Sequence, residues 1–533
     1  MSEVLEVGGS IAAAAAVGFA LLANNRRVRA AGLIVALALA LALVAGQGWD
    51  ELSDLRDSPA AFAAVIAASA IVLGLLAALM LRWPLVLPLA LVAALPFRIP
   101  IGVGGGEDVN LLVPLYAVLG AGVLAEAIAA IRTDSQSPVR IPRPLALALL
   151  VAVGLYAIQA AYSNDIGFAT RNVGFFLIPF AVIFSLLAEV RWTAPLLRLG
   201  FFVVIAEALV FAVIGIGQHI AGEIFWNEAL EMSNDFHFYL RVNSLFWDPN
   251  IYGRYLATAI VIALGVLVWT QDRLRSLALA GGIAILFAGL SVSFSQSSFI
   301  SLLAGIAVLA ALRWSIVWTA IATPVLAAIA IAGLLTIGNG TESDTGPKIE
   351  TEGRGTLISV GIDLARERPL YGHGSASFPE SFAEAEDVKK GENTVSHNEP
   401  VTVAAEQGAI GLLVYLGLLA VALWTLASGM RRIAPGLGGE ASAGAEAGFV
   451  AARMAILAGF GALLLHTIGY AGYLTDPLTW TLLAIGGALA VQTGTAPALP
   501  SRASLMRGRS ADARALRQKR PVHDQERPVS PAE

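Results

Sequence analysis

The chain has 533 residues, of which 57% are hydrophobic and 14% charged, with a formal net charge of −5. A soluble domain carries roughly 45–50% apolar and about 25% charged residues, so the composition excludes an ordinary soluble protein and points to a membrane one. There is no cysteine, which excludes disulfides, thiolate nucleophiles and cysteine metal sites, and no nucleic-acid partner is expected.

Apolar runs near twenty residues recur from end to end, enough to cross a hydrocarbon core of about 30 Å. The N-terminus, MSEVLEV, is acidic where a secretory signal is basic, so its alanine-rich run reads as a first spanning helix. In chain order, hydropathy places helices near 4–23, 30–46, 60–81, 84–97, 109–131, 143–161, 171–188, 197–221, 250–270, 274–291, 297–312, 315–337, 405–427, 448–468 and 477–492. The expected fold is an all-α polytopic membrane protein of about 15 transmembrane helices, with a range of 12–15 because segments such as 84–97 are short and contain proline.

Alternate loops collect Arg26, Arg27 and Arg29; Arg132, Arg140 and Arg143; Arg191 and Arg198; Arg273 and Arg275; Arg431 and Arg432. Such loops belong on the cytoplasmic side, which puts the N-terminus outside and the C-terminus inside. Residues 493–533 read as a disordered basic cytoplasmic tail. Residues 1–200 form N-terminal transmembrane helices, and 201–492 a core that includes two long outer loops, 222–249 and 338–404.

Long loops in a compact domain tend to be functional or disordered. The first contains Trp226, Phe236, Phe238, Tyr239, Phe246 and Trp247, too aromatic for a free linker. The second begins with a polar stretch, followed by a short amphipathic helix over Arg354–Arg368 ending at Pro369. It continues through a glycine turn, Tyr371-Gly-His-Gly, and a charged segment. Between Gly338 and Ala405 it holds twelve Asp or Glu against six Lys or Arg, so its net field does not attract an anion.

The loop closes on SHNEPVTVAAEQGAIG, Ser396 to Gly411. Ser396 and Glu399 have capping-box spacing, or Asn398 is the cap with Pro400 in the first turn. A continuous helix from there to about Ala427 is roughly 43 Å long, which sets His397 at the outer rim. Gly408 and Gly411 are expected to serve close helix packing.

His397-Asn398, nine residues, then Gly408-Ala-Ile-Gly411 resembles the H-[NSQ]-x9-G-x-x-G signature of the O-antigen ligase and polymerase superfamily. GRGTLISVGIDLARERPLYGHG (Gly353–Gly374) resembles its arginine, amphipathic helix and glycine turn, and RVNSLFWDPNIYGRYL (Arg241–Leu256) its arginine-to-Pro-Asn segment. The three motifs stand in the family's order over roughly residues 200–475. One departure is SFSQSSF (Ser293–Phe299), where the family usually shows Ser-Arg-Gly.

The resemblance implies a glycosyltransferase that moves a glycan from a polyprenyl diphosphate carrier to an acceptor hydroxyl on a glycan, glycolipid or protein, with no metal or other cofactor. It implies that His397 takes the place of the family's essential histidine, and Arg241 and Arg354 those of its two arginines. Their chemistry suits the reaction. Arginine gives bidentate hydrogen bonds to phosphate and stays charged, and histidine is either a base for the hydroxyl or a diphosphate ligand. Asn398, Glu406, Tyr371, His373, Asp248 and Asn250 are second-rank candidates for substrate binding.

Two other classes compete. A transporter or lipid-linked glycan flippase also has many broken helices, but no internal repeat is visible. A zinc enzyme requires a spacing such as H-E-x-x-H, which is absent.

Overall fold

A computed structural model describes residues 2–47, 58–97, 99–103, 107–132, 141–225, 227–234, 239–324, 347–388, 396–440 and 445–496. The apolar runs are helical because hydrocarbon offers a backbone N–H or C=O no partner outside its own segment. The first half holds α1 (Glu3–Leu22), α2 (Arg26–Gln47), α3 (Pro59–Arg82), α4 (Val86–Ala94), α5 (Val113–Arg132), α6 (Arg143–Gln159), α7 (Ile166–Asn172) and α8 (Ile178–Ala188). The second holds α9 (Ala194–Ala221), α10 (Glu228–Asn234), α11 (Pro249–Leu267), α12 (Arg273–Ser291), α13 (Gln296–Arg313), α14 (Pro347–Glu367), α15 (Phe378–Glu386), α16 (Glu399–Ala427), α17 (Met430–Ile433), α18 (Ala445–Gly469) and α19 (Pro477–Gln492).

Among the described residues, twelve helices are long and apolar enough to cross a membrane, and α19 is a shorter apolar one. The all-α polytopic expectation holds, within its range of 12–15. The weakest expected span, 84–97, contracts to the nine residues of α4. Residues 99–103 and 107–111 pair as a small antiparallel hairpin, β1 (Ile99–Val103) and β2 (Glu107–Leu111), so the helix expected from 109 begins at Val113. The span expected at 171–188 begins earlier, because α7, a π-turn at Val173–Leu177 and α8 join into one helix over Ile166–Ala188. The expected span 315–337 and the tail 493–533 run outside the described residues beyond 324 and 496, respectively.

Lipid provides no hydrophobic force between helices, so association rests on close packing. Gly265 of α11 faces Ala455 of α18, and Gly305 of α13 faces Val261 of α11, so a Cβ at either glycine collides with its neighbour. One buried apolar cluster runs from Ala13 to Leu489, and Trp480, Tyr252 and Phe460 are wholly buried in it.

The amphipathic helix read over Arg354–Arg368 is the second half of α14. Its apolar face packs on α15 and α16 through Leu357, Val360, Leu364, Phe378 and Ala405. The helix expected to run unbroken to Ala427 does not. Residue Gly408 has φ 63° and ψ −165°, which interrupts α16 nine residues after its start. The chain after α14 docks into the gap. The Ala409 amide donates to the Pro369 carbonyl (2.8 Å) and Ile410 to Leu370 (3.1 Å), while His373 and Gly374 donate to the carbonyls of Ala405 (3.1 Å) and Glu406 (2.8 Å). Gly408 is therefore required by a left-handed break rather than by the helix packing expected of it.

Candidate functional site

Segments from both halves of the chain enclose one cavity of about 710 Å³. It lies at the end of the bundle where α11, α16 and α19 begin and α18 finishes. Of the candidate site residues named from the sequence, Arg241, Asp248, Asn250, His397 and Glu406 line it. Tyr371, His373 and Asn398 do not, and the side chain of Arg354 lies outside the described residues. Arg354 is three positions before Leu357, which lines the cavity from the same helix.

Arg241 is 8% exposed. Asn234, at the end of α10, holds its backbone on both sides, donating Nδ2 to the Arg241 carbonyl and accepting the Arg241 amide on Oδ1, each at 3.1 Å. Gln218 grips Ser244 in the same two-handed way, at 3.1 and 2.7 Å. The described part of the aromatic loop is thus packed, while Trp226, Phe236 and Phe238 lie outside the described residues, and the arginine leaves a fixed backbone. Asp248 caps α11 by accepting the amides of Asn250 (2.6 Å) and Ile251 (3.3 Å), which occupies a carboxylate that the sequence offered to substrate.

Asn250 accepts a hydrogen bond on Oδ1 from Ser295 (2.8 Å). Ser295 also contacts Ser298 (2.8 Å), and Ser297 and Ser298 each lie 3.2 Å from His466 Nε2. SFSQSSF, which departs from the family pattern, thus forms a buried hydroxyl network behind Asn250.

His397 has φ +56°, a left-handed conformation that costs a non-glycine residue roughly 1–2 kcal/mol. Its neighbours impose it. Ser396 Oγ donates to the Asn398 carbonyl (2.8 Å) and accepts the Asn398 amide (3.1 Å). Asn398 is the helix cap, accepting from Val401 (3.1 Å), and its amide group donates to the Ile468 carbonyl (3.1 Å). The capping-box alternative is therefore not the one used. The His397 ring faces Tyr470, with centroids 5.8 Å apart.

Glu399, freed from capping, accepts the Gly472 amide on Oε2 (2.5 Å) and lines the cavity. Glu406 accepts the amides of Ala376 (2.9 Å) and Phe378 (3.2 Å), so its carboxylate ties the glycine turn to α16. His373 lies in that turn with Nε2 against the Leu364 carbonyl (3.1 Å). Burial pushes its pKa below the ordinary value, partly offset by that bond. Tyr371 is exposed and meets Tyr162 edge to face.

Sequence reasoning did not select Glu399, Tyr470 or Arg254 for the site, although all three line the cavity. Arg254 had a signal, being a charge inside an apolar helix. No curated protein matches the chain. Residues 258–416 match the O-antigen ligase family model, so the resemblance drawn from the motifs holds over the segment that carries Arg354 and His397, where the chain is similar to the O-antigen ligases.

Proposed function

We propose that the protein transfers a glycan from a polyprenyl diphosphate to an acceptor hydroxyl on the extracytoplasmic side of the membrane. Glycan transfer of the ligase or polymerase type is what the family match supports. The finer reading is carried by one observation: a single cavity at a helix-end rim holds Arg241 and His397, from motifs far apart in the chain.

In this reading the acceptor oxygen attacks the anomeric carbon and its proton passes to His397. The sugar–phosphate C–O bond breaks, and its electron pair leaves on the diphosphate. Arg241 and Arg354 stabilise that charge, since a guanidinium matches phosphate geometry bidentately. The left-handed turn at His397 sets the direction in which its side chain leaves the backbone before substrate arrives, and pre-positioning of a base lowers the barrier it must cross. Asn250 and Glu399 line the same cavity, and in this reading they bind sugar hydroxyls.

The test is the lipid-linked glycan of a deletion strain. Accumulated carrier-bound glycan, cleared by the wild-type gene and not by His397→Ala or Arg241→Ala, supports the proposal. Full restoration by either variant refutes the roles given to them. Single repeats on the carrier indicate a polymerase, and long chains a ligase. Movement of glycan-free lipid across liposomes by the purified protein would favour a transporter instead.

A further inference from the structure

Arg254 stands on the second turn of α11, 3% exposed, inside a membrane-spanning helix. Its Nη2 is 2.8 Å from Asp476 Oδ2. Asp476 is itself pinned as the cap of α19, its Oδ1 accepting the Leu478 amide at 2.8 Å. The guanidinium also lies 5.9 Å from the centroid of the Tyr470 ring. Among the described residues, Nε and Nη1 have no hydrogen-bond partner, although both are buried, and the residue lines the 710 Å³ cavity.

This is an incomplete arrangement. A buried guanidinium has five N–H donors, and one carboxylate oxygen at Nη2 satisfies one of them. Leaving the others unmet in a low-dielectric site is unfavourable, unless an anion completes them. A structural clamp between α11 and α19 explains the Asp476 bond but not the unmet donors of a residue that lines the cavity.

We propose that Arg254 is a donor-binding residue, a third cation that holds the diphosphate in the cavity and is pre-oriented by Asp476. This rests on the reading of the cavity as a site for a diphosphate-linked glycan. Asp476 holds one Nη2 hydrogen and leaves Nη1, with the second Nη2 hydrogen, for a phosphate oxygen pair, the bidentate geometry in which arginine surpasses lysine. Arg254→Lys keeps the charge and loses that fork.

The test uses the full chain in detergent, with farnesyl diphosphate as probe and farnesol as its uncharged control, read by thermal shift and titration. The wild type is stabilised by farnesyl diphosphate more than by farnesol. Arg254→Gln weakens binding at least tenfold, Arg254→Lys weakens it less, and Asp476→Asn lowers thermal stability yet still binds. If Arg254→Gln and Asp476→Asn lower thermal stability alike and both bind the probe as wild type does, Arg254 is only a clamp and the proposal fails. If wild-type protein shows no preference for the diphosphate, the functional reading itself falls. If wild type prefers it and His397→Ala abolishes transfer while Arg254→Gln binds normally, only the Arg254 assignment falls.

Discussion

The Gly374 amide donates to the Glu406 carbonyl at 2.8 Å, across the point where α16 is broken at Gly408. This contact joins two of the three sequence motifs: the glycine turn after α14 supplies the partners that the interrupted helix lacks. A carbonyl left unpaired by a helix break is costly when buried, so the turn and the break require each other.

Alanine at Gly408 would have to adopt a left-handed φ and run into the Leu370 backbone, and alanine at Gly372 would strike the Glu406 carbonyl. Backbone strain alone costs about 1–3 kcal/mol, and the collisions add to it. Gly408→Ala and Gly372→Ala are expected to lower the thermal midpoint in detergent and to lose activity together. Gly417→Ala, at a helical position with open space around the glycine, is the near-neutral control.

His397→Ala is expected to lower the turnover of reconstituted transfer by about 10²–10⁴-fold, the range of a general base, with little change in thermal midpoint. Relief of the left-handed strain by His397→Gly offsets any packing loss, so a glycine variant that is equally inactive and at least as stable separates chemistry from folding. A fall of less than tenfold in turnover would indicate that histidine only binds diphosphate.

Glu406 is expected to act as an anchor. Glu406→Gln replaces one acceptor oxygen by an NH₂ group facing a backbone amide, which leaves a buried donor unmet at about 1–3 kcal/mol. Hydrogen exchange at Ala376 and Phe378 should rise in that variant, since those amides bond the carboxylate. Unchanged protection at both amides would contradict this role.

His373 gives the acid response of the turn a direction. Burial lowers its pKa, the Leu364 bond and nearby Glu367 and Glu384 act the other way, and Arg368 adds to the lowering. Its pKa is thus lower when folded than when unfolded, so the unfolded chain binds more protons between the two values. That contribution to stability is complete above the ordinary histidine range and is lost as pH falls through the folded value. Thermal midpoints should drop from about pH 7.5 to about pH 5, and His373→Gln should flatten part of that drop. An identical slope in the variant would assign the acid response to other groups.

Local chemistry made much of this protein readable in advance. The helices at 3–22, 194–221 and 273–291 fall within three residues of the spans read from hydropathy, because in lipid each segment must satisfy its own backbone hydrogen bonds. The caps at Asp248 and Asn398 were similarly local, since a side chain two or three residues from the amides it receives needs no distant partner. Of the three residues read from the motifs, Arg241 and His397 line the cavity, and the side chain of Arg354 lies outside the described residues.

What only the tertiary structure decided depends on groups distant in sequence. Glu406, Gln407 and Gly408 interrupt the apolar pattern, but a glycine in a helix also suits close packing; the docked turn from Pro369 to Gly374 decides that the helix breaks there. Glu399 resembled half of a capping box until Asn398 took the cap and Gly472 took its carboxylate. Arg254 was a charge within a span until α19 brought Asp476 to 2.8 Å and left its Nε and Nη1 without a partner among the described residues. A carboxylate or guanidinium has several bonding positions, and sequence states how many there are. Which of them are filled, and which face a ligand, is decided by the helices that pack around it.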